Sequence, residues 1–135
     1  MNKKGFTLIE VILAIAIMSI LALILVPNIF VLIDENKERT YNNLIKNIES
    51  SAKIYVSENK YGMGFDCSNY DESTIEVSIK EMINKGALTL DSTGKIINPK
   101  TDKEMNLEES KVLITYSCDN KTFTYVVNEV YNTSN

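Results

Sequence analysis

The hydrophobic and polar positions divide the chain into an apolar N-terminal segment, an amphipathic segment and a mixed C-terminal part. Residues 11–33 form an apolar run without a charged residue, and the lone acid Glu10 stands directly before it. About 20 apolar residues are enough to cross a bilayer as a helix, and this run offers about 23. The pattern therefore predicts a membrane-spanning helix with one carboxylate at its N-terminal end. An acidic residue in such a position is energetically unfavourable, which makes it a candidate functional residue.

The amphipathic segment begins where charged residues return at Asp34 while helix-compatible residues continue. Apolar side chains then recur at three- and four-residue spacing, which is the pattern of a helix with one buried face. These positions are Tyr41, Leu44, Ile45, Ile48, Ala52, Tyr55 and Val56. No proline interrupts residues 28–60, and the glycines within residues 61–64 give the first strong stop signal. We therefore expect one long helix, with a membrane half in residues 6–33 and an amphipathic half in residues 34–60.

The C-terminal part contains two segments with strand patterns. In residues 111–118 the alternate positions Val112, Ile114, Tyr116 and Cys118 would share one face of a strand, and residues 122–131 are rich in β-branched and aromatic residues. Residues 119–121 form the turn of the expected hairpin. The predicted fold class is α+β, in which the long N-terminal helix packs on a small antiparallel β-sheet in a C-terminal head, residues 61–135.

The connecting segment, residues 67–106, shows little sign of regular structure. One exception is a short helix, for which Ser78 and Glu81 resemble a capping box and which Gly86 would close. The other exception is a short strand near residues 95–97, between turn-forming residues. We expect the rest of this segment to form loops on the outer surface of the head.

The residues before the apolar run stand in an informative order. Two lysines are followed by Gly5 and then by Phe6, Thr7, Leu8, Ile9 and Glu10. A secretory signal peptide would place its small-residue cleavage site after the apolar core, whereas Gly5 precedes it. Together with the long apolar helix, this order resembles the N-terminal signature of the type IV pilin and pseudopilin family. The resemblance covers about the first third of the chain.

The resemblance implies a leader peptide, residues 1–5, which prepilin peptidase would remove by cutting between Gly5 and Phe6. It also implies that Phe6 becomes the N-methylated first residue and that the fold is pilin-like. Glu10 is similar to the assembly glutamate of the family. Cleavage would create an α-ammonium group at Phe6, which the Glu10 carboxylate of a neighbouring subunit would neutralise inside the apolar filament core. The alternative is an ordinary single-pass anchor whose acid reaches the lipid headgroups.

Pro27 interrupts the apolar run. Proline lacks an amide donor and clashes with the carbonyl one turn back, near Leu23, so we expect a kink or local melting of the helix. Two interpretations stay open. Pro27 is either a tolerated proline of a membrane helix or a weak point that lets the helix stretch as the subunit passes from lipid to filament.

The sequence contains two cysteines, Cys67 and Cys118, and no histidine. Outside the cell the cysteines are free to form a disulfide, and the alternative is that they are two unrelated small apolar residues. A bridge would close a loop of about fifty residues and stabilise the head by about 4 kcal/mol in the loop-entropy description. Two cysteines without a histidine do not supply a tetrahedral zinc site, so we expect no metal and no other cofactor.

The chain lacks a recognisable catalytic motif. It offers no histidine as a general base, Gly94 and Lys95 do not fit the spacing of a phosphate-binding loop, and its scattered carboxylates define no pair. A formal net charge of −4 argues against a broad basic surface for nucleic acid. We therefore predict that the protein is not an enzyme.

Three functions fit these observations. The first is a structural subunit of a type IV pilus-like surface filament, a homo-oligomer assembled through its N-terminal helix. The second is a pseudopilin of a type II secretion or competence DNA-uptake machine, in which nucleic acid is an expected partner for the uptake role. The third is a membrane-anchored binding module that does not assemble. In the first two, prepilin peptidase, an assembly platform and minor pilins are expected partners, and the chain passes from the cell membrane to an extracellular filament.

Overall fold

The computed structural model describes residues 5–90 and 92–134. Its first element, α1, is an α-helix over Leu8–Asn59, and a 3-10 turn over Lys60–Gly62 follows it. The single long helix predicted from the sequence is confirmed, and it ends at the glycine-containing stop signal. The helix assignment is continuous through Pro27, and the kink expected at this residue stays a prediction.

The chain forms two compact units, one that ends at Lys37 and one that begins at Glu38. In the first unit, the large apolar side chains of α1 from Leu8 to Ile33 are all exposed, and even Ile33 exposes 44 % of its surface. The mean hydropathy of the most apolar 18-residue window is 3.0, and α1 is long and apolar enough to cross a membrane. Exposed apolar surface of this extent calls for lipid or another protein around it.

Beyond α1 and the 3-10 turn, the described residues of the second unit form five short strands and one short helix. In chain order these elements are β1 (Glu72–Ser78), α2 (Ile79–Asn84), β2 (Ile97–Asn98), β3 (Lys103–Glu104), β4 (Lys111–Ser117) and β5 (Thr122–Val127). Three of the strands form an antiparallel sheet in the order β1, β4, β5, and β2 pairs with β3 in a separate two-stranded sheet. The α+β fold predicted from the sequence is confirmed.

The β4–β5 hairpin lies where the sequence predicted it. Ser117 pairs with Thr122 next to the turn, and Val112 pairs with Val127 at the far end. Lys121 closes the turn with a φ of 54°, in the left-handed region. β5 ends at Val127, earlier than the expected end at residue 131, and Asn132 instead forms an isolated bridge with Met105.

The expectation that residues 67–106 contain little regular structure is wrong. This segment contains β1, which pairs with β4 along its full length, from Glu72 opposite Ser117 to Ser78 opposite Lys111. Its pattern is weak because only Ile75 and Val77 are apolar, and both pack against the core while the alternating outward positions are polar. The head therefore has a three-stranded sheet rather than a hairpin attached to a loop.

The core of the head lies between α1 and one face of the three-stranded sheet. Buried apolar side chains of α1 meet those of the strands in one cluster, which contains Ile48, Ala52, Tyr55, Val56, Val77, Val112, Ile114 and Val127. Leu44 and Ile45 are partly buried against this cluster. Tyr41 lies nearer to the N-terminus of α1, and its ring centroid is 4.4 Å from Lys100 Nζ. The amphipathic stripe predicted from spacing is therefore, from Leu44 onwards, the core-facing surface of α1.

α2 is fixed at both ends by hydrogen bonds. At its start, Ser78 Oγ accepts a hydrogen bond from the Glu81 amide at 3.2 Å. At its end, the Ala87 amide donates to the Met82 carbonyl at 2.9 Å, which is the long bond of a Schellman motif. Gly86 lies inside this motif with a φ of 77°, a conformation that glycine adopts without strain. The predicted helix bounded by Ser78 and Gly86 is confirmed.

The disulfide expected as one of two alternatives is present in the structure. Cys67 and Cys118 are bonded, with their Cα atoms 5.9 Å apart and a sequence separation of 51 residues. Cys67 precedes β1 and Cys118 follows β4, and the Cys118 amide donates to the Asp71 carbonyl at 2.8 Å. The bridge therefore ties the segment before β1 to the residue that follows β4.

Replacing both cysteines by serine should lower the free energy of unfolding by about 4 kcal/mol, because the unfolded chain is no longer constrained by a loop of this length. Chemical denaturation of the oxidised wild-type protein and of the Cys67→Ser, Cys118→Ser variant measures this difference. Equal stabilities, or two alkylatable thiols in folded wild-type protein recovered from outside the cell, would contradict the structural role of the bridge.

Tyr55 joins α1 to α2. Its hydroxyl donates a hydrogen bond to Glu81 Oε1 at 2.7 Å. Burial of the phenol, with the hydrogen bond and the charge of the carboxylate, raises the pKa of Tyr55 to about 12. The ordinary value is about 10. Because the pKa is higher in the folded state, the resulting stabilisation is complete below the ordinary value and is lost as the pH rises through the folded value.

Tyr55→Phe should lower the free energy of unfolding by about 0.5 to 1.5 kcal/mol at neutral pH, where one hydrogen bond is lost and the exposed Glu81 regains water. This deficit relative to wild type should shrink as the pH rises towards 12, because the wild-type protein then loses the same contact. Denaturant titrations at several pH values measure it, with the fully exposed Tyr61 as the control position in Tyr61→Phe. A deficit that is independent of pH would refute the assignment.

Candidate assembly site

The N-terminus of α1 contains a reciprocal hydrogen-bonded arrangement of Thr7 and Glu10. The backbone amide and the hydroxyl of Thr7 each donate to Glu10 Oε2 at 3.0 Å. In the other direction, the Glu10 amide lies 3.4 Å from Thr7 Oγ1 and donates to it. Thr7 directly precedes the first helical residue, Leu8. The pair is therefore a capping box, which provides partners for amides that have none at the start of a helix.

This arrangement sets the position of the Glu10 carboxylate. Glu10 lies in the first turn of α1, where a negative charge interacts favourably with the helix dipole. Its side chain is exposed in the single subunit, directly before the apolar run. The carboxylate is thus held at the boundary between the apolar helix and the residues that precede it, with one of its oxygen atoms fixed by Thr7.

The expected cleavage site lies directly before the capping box. Gly5 and Phe6 have non-helical backbone, and Phe6 exposes 87 % of its surface. A Cβ atom added at Gly5 would meet no atom within 4 Å. The bond between the two residues is therefore accessible in the subunit, and nothing in the described chain requires glycine at this position. Lys3 and Lys4 of the expected leader lie outside the described residues.

Sequence reasoning identified Glu10, Gly5 and Phe6 but missed Thr7. The missed signal is a threonine three residues before a glutamate at the start of a helix, the same spacing that correctly identified Ser78 and Glu81. In the second unit, the Glu81 side chain bonds to Tyr55 instead of completing the box. The complete capping box is at the N-terminus of α1.

The head contains a cleft of about 430 Å³. The cleft is lined by residues of α1, β1 and α2, including Glu76, Glu81 and Lys85. Glu81 accepts the hydrogen bond from Tyr55, and Glu76 pairs with Lys111 at 2.9 Å. Within the described part of the chain, no group of three or more aspartate, glutamate or cysteine side chains is placed to hold a metal ion.

Comparison with known proteins gives one match, at the N-terminus. Residues 1–26 match the family model described as the prokaryotic N-terminal methylation motif. Searches of curated proteins and of solved structures gave no match. The match to the family model supports the resemblance of the N-terminal segment to that of type IV pilins and pseudopilins. The long helix packed with a small antiparallel sheet is consistent with a pilin-like fold.

Gly5→Val should block processing, because a branched side chain next to the cut bond hinders the peptidase while the structure leaves room for it in the subunit. Mass spectrometry of membrane-extracted protein should find the mature wild-type chain beginning at N-methylated Phe6 and the variant with its leader intact. Gly62→Val is the matched control, since Gly62 also has open space around it, and it should be processed normally. An intact Met1 terminus in assembled wild-type protein, or a cut beyond the apolar run, would overturn the assignment of this site.

Proposed function

We propose that the protein is the structural subunit of a type IV pilus-like surface filament, processed by prepilin peptidase and assembled through α1. The observation that carries this proposal is the Glu10 carboxylate, which is held four residues after the expected new terminus, Phe6, at the start of an exposed apolar helix. A single carboxylate at the end of a membrane helix calls for a charge partner. Processing creates that partner.

Hydrolysis of the bond between Gly5 and Phe6 leaves a carboxylate on Gly5 and an α-ammonium group on Phe6. The leader departs with Gly5, so the mature helix carries one cation at its terminus and one anion at Glu10. In a filament, the Phe6 ammonium of one subunit lies against Glu10 of a neighbour. Away from water the attraction between the two charges is strong, and an unpaired charge is strongly unfavourable. The pair therefore favours one axial register between neighbouring helices.

The apolar surface of α1 provides the non-specific part of the assembly. Its large apolar side chains are exposed in the first unit, and they are surrounded by lipid before assembly and by other copies of the helix afterwards. Lipid chains are as apolar as these side chains, so moving the helix from one environment to the other does not by itself determine how subunits align. The alignment in this proposal comes from the charge pair.

The same N-terminal features fit a pseudopilin of a type II secretion or competence DNA-uptake machine. The motif supports a pilin-like precursor without separating the two roles. Neighbouring genes separate them, since a retraction ATPase accompanies a pilus and secretion or competence genes accompany a pseudopilin. A membrane-anchored module that never assembles is the third alternative, and in it Glu10 would act only in capping the start of α1. In each case the protein has a structural or binding role and not an enzymatic one.

Glu10→Ala should leave membrane insertion, cleavage and the fold of the head intact while filament yield falls sharply. Breaking a buried ion pair by removing one partner costs about 3 to 5 kcal/mol, and each added subunit bears this penalty. The amount of filament sheared from cells is measured for the variant and for wild type. The two are compared at equal amounts of processed protein in the membrane. Mass spectrometry of the sheared filaments identifies their subunits.

Two control variants make the Glu10 experiment specific. Glu10→Gln keeps the size of the side chain and an oxygen acceptor but removes the charge, so it should also reduce filament yield. Glu35→Ala removes an exposed carboxylate from the same helix beyond the apolar run, and it should assemble like wild type. Normal filaments of Glu10→Ala at matched subunit levels would refute the proposed assembly mechanism.

A further inference from the structure

The capping box uses the two oxygen atoms of the Glu10 carboxylate unequally. Both donors of Thr7, its amide and its hydroxyl, bond to Oε2. Within residues 5–90 and 92–134, no hydrogen bond is made to Oε1. A carboxylate can accept on both oxygens at once, so the oxygen not used within the subunit stays available to a second donor.

We propose that Thr7 is the positioning residue of Glu10: it holds Oε2 inside each subunit and directs Oε1 to the α-ammonium group of Phe6 in the next subunit. This inference rests on the proposed assembly function. It adds Thr7 as a second residue and assigns a different partner to each oxygen of the Glu10 carboxylate. Thr7 itself does not contact the neighbouring ammonium group. It acts through the conformation of Glu10.

The physical basis of this role is preorganisation. A glutamate side chain has several rotatable bonds and loses conformational freedom when it forms an ion pair. Two donors on Oε2 restrict these bonds before a neighbour arrives, so less freedom is lost when the subunits associate. The same donors keep the carboxylate next to the helix terminus and prevent it from turning towards the lipid headgroups.

The position of the expected cut preserves this arrangement. When the chain is cut between Gly5 and Phe6, the amide of Thr7 becomes the first peptide N–H of the mature chain and remains a donor to Oε2. A cut one residue later would turn this nitrogen into the charged terminus itself. The hydroxyl of Thr7 is unaffected by processing. The mature chain therefore carries the new ammonium group directly before the capping box, so each subunit presents a cation and a positioned carboxylate to its neighbours.

Incorporation into mixed filaments tests the proposal. A tagged variant is co-expressed with untagged wild-type protein, and the ratio of tagged to untagged chains in sheared filaments is divided by the same ratio among processed chains in the membrane. Thr7→Val replaces the hydroxyl by a methyl group of similar size and should lower this normalised incorporation about tenfold, since it removes a hydrogen bond to a charged group. Thr7→Ser keeps the hydroxyl and should stay within about twofold of wild type.

Thr7→Val combined with Glu10→Gln separates positioning from simple helix capping. If Thr7 acts through the charge of Glu10, Thr7→Val should change incorporation by less than about twofold in the Glu10→Gln background, because coupled residues are not additive. If the hydroxyl only caps the helix, the loss caused by Thr7→Val should be the same in both backgrounds, and the proposal is overturned. Thr7→Ala, with a smaller side chain, repeats the comparison in case valine hinders cleavage.

The outcomes for Glu10 and Thr7 are distinguishable. If Glu10→Gln is incorporated as well as wild type, the proposed assembly function fails and the role of Thr7 fails with it. If Glu10→Gln is poorly incorporated but Thr7→Val and Thr7→Ala match wild type, the positioning role of Thr7 is wrong while the assembly role of Glu10 stands. Mass spectrometry confirms that every counted chain begins at N-methylated Phe6.

Discussion

The carboxylate of Glu10 at the start of an exposed apolar helix is the constraint on which our account of this protein depends. A charge beside an apolar run is tolerated when it has donors, and the structure supplies two from Thr7 within the same subunit. The first half of α1 otherwise offers apolar surface that fits lipid and other copies of the helix alike. In our proposal the hydrogen-bonded pair of Thr7 and Glu10 at its start sets the register between subunits, which the apolar side chains do not.

The second half of α1 forms part of the hydrophobic core of the head. Its buried side chains, such as Ile48 and Ala52, form one side of the head's core, and the three-stranded sheet forms the other. So small a head has limited apolar area to bury. Two further contacts join its elements: the disulfide between the segment before β1 and the residue after β4, and the hydrogen bond from Tyr55 to Glu81. In our proposal the first half of α1 acts in assembly, while the second half forms part of the core of the head.

Much of this architecture could be predicted from the sequence because it depends on strong local patterns. The length and end of α1, its core-facing stripe, the α2 caps and the β4–β5 hairpin all follow from periodicity or turn chemistry. β1 was missed because Ile75 and Val77 are its only apolar residues, and its place in the sheet depends on pairing with β4, a contact distant in sequence. Thr7 was missed although its spacing from Glu10 is informative, because the apolar run and the lone acid dominate this region.

The disulfide could be predicted from the sequence only in part. The sequence supplied the two cysteines and the expected environment, but only the placement of β1 against β4 brings Cys67 and Cys118 together. The sequence also cannot predict which oxygen of Glu10 bonds to Thr7. Residue type and spacing identify a carboxylate and a neighbouring hydroxyl. Only the folded helix terminus shows which carboxylate oxygen accepts both hydrogen bonds from Thr7.

The central claim is that a charge pair between neighbouring subunits fixes the register of the filament. Electron cryo-microscopy of filaments sheared from the cell surface tests it most directly, because it shows the N-termini of adjacent helices in place. We predict that the Phe6 nitrogen of one subunit lies within about 4 Å of Glu10 Oε1 of a neighbour, the distance of an ion pair. Filaments of this protein in which Glu10 points to solvent, or in which no neighbouring Phe6 nitrogen approaches its carboxylate, would contradict the account.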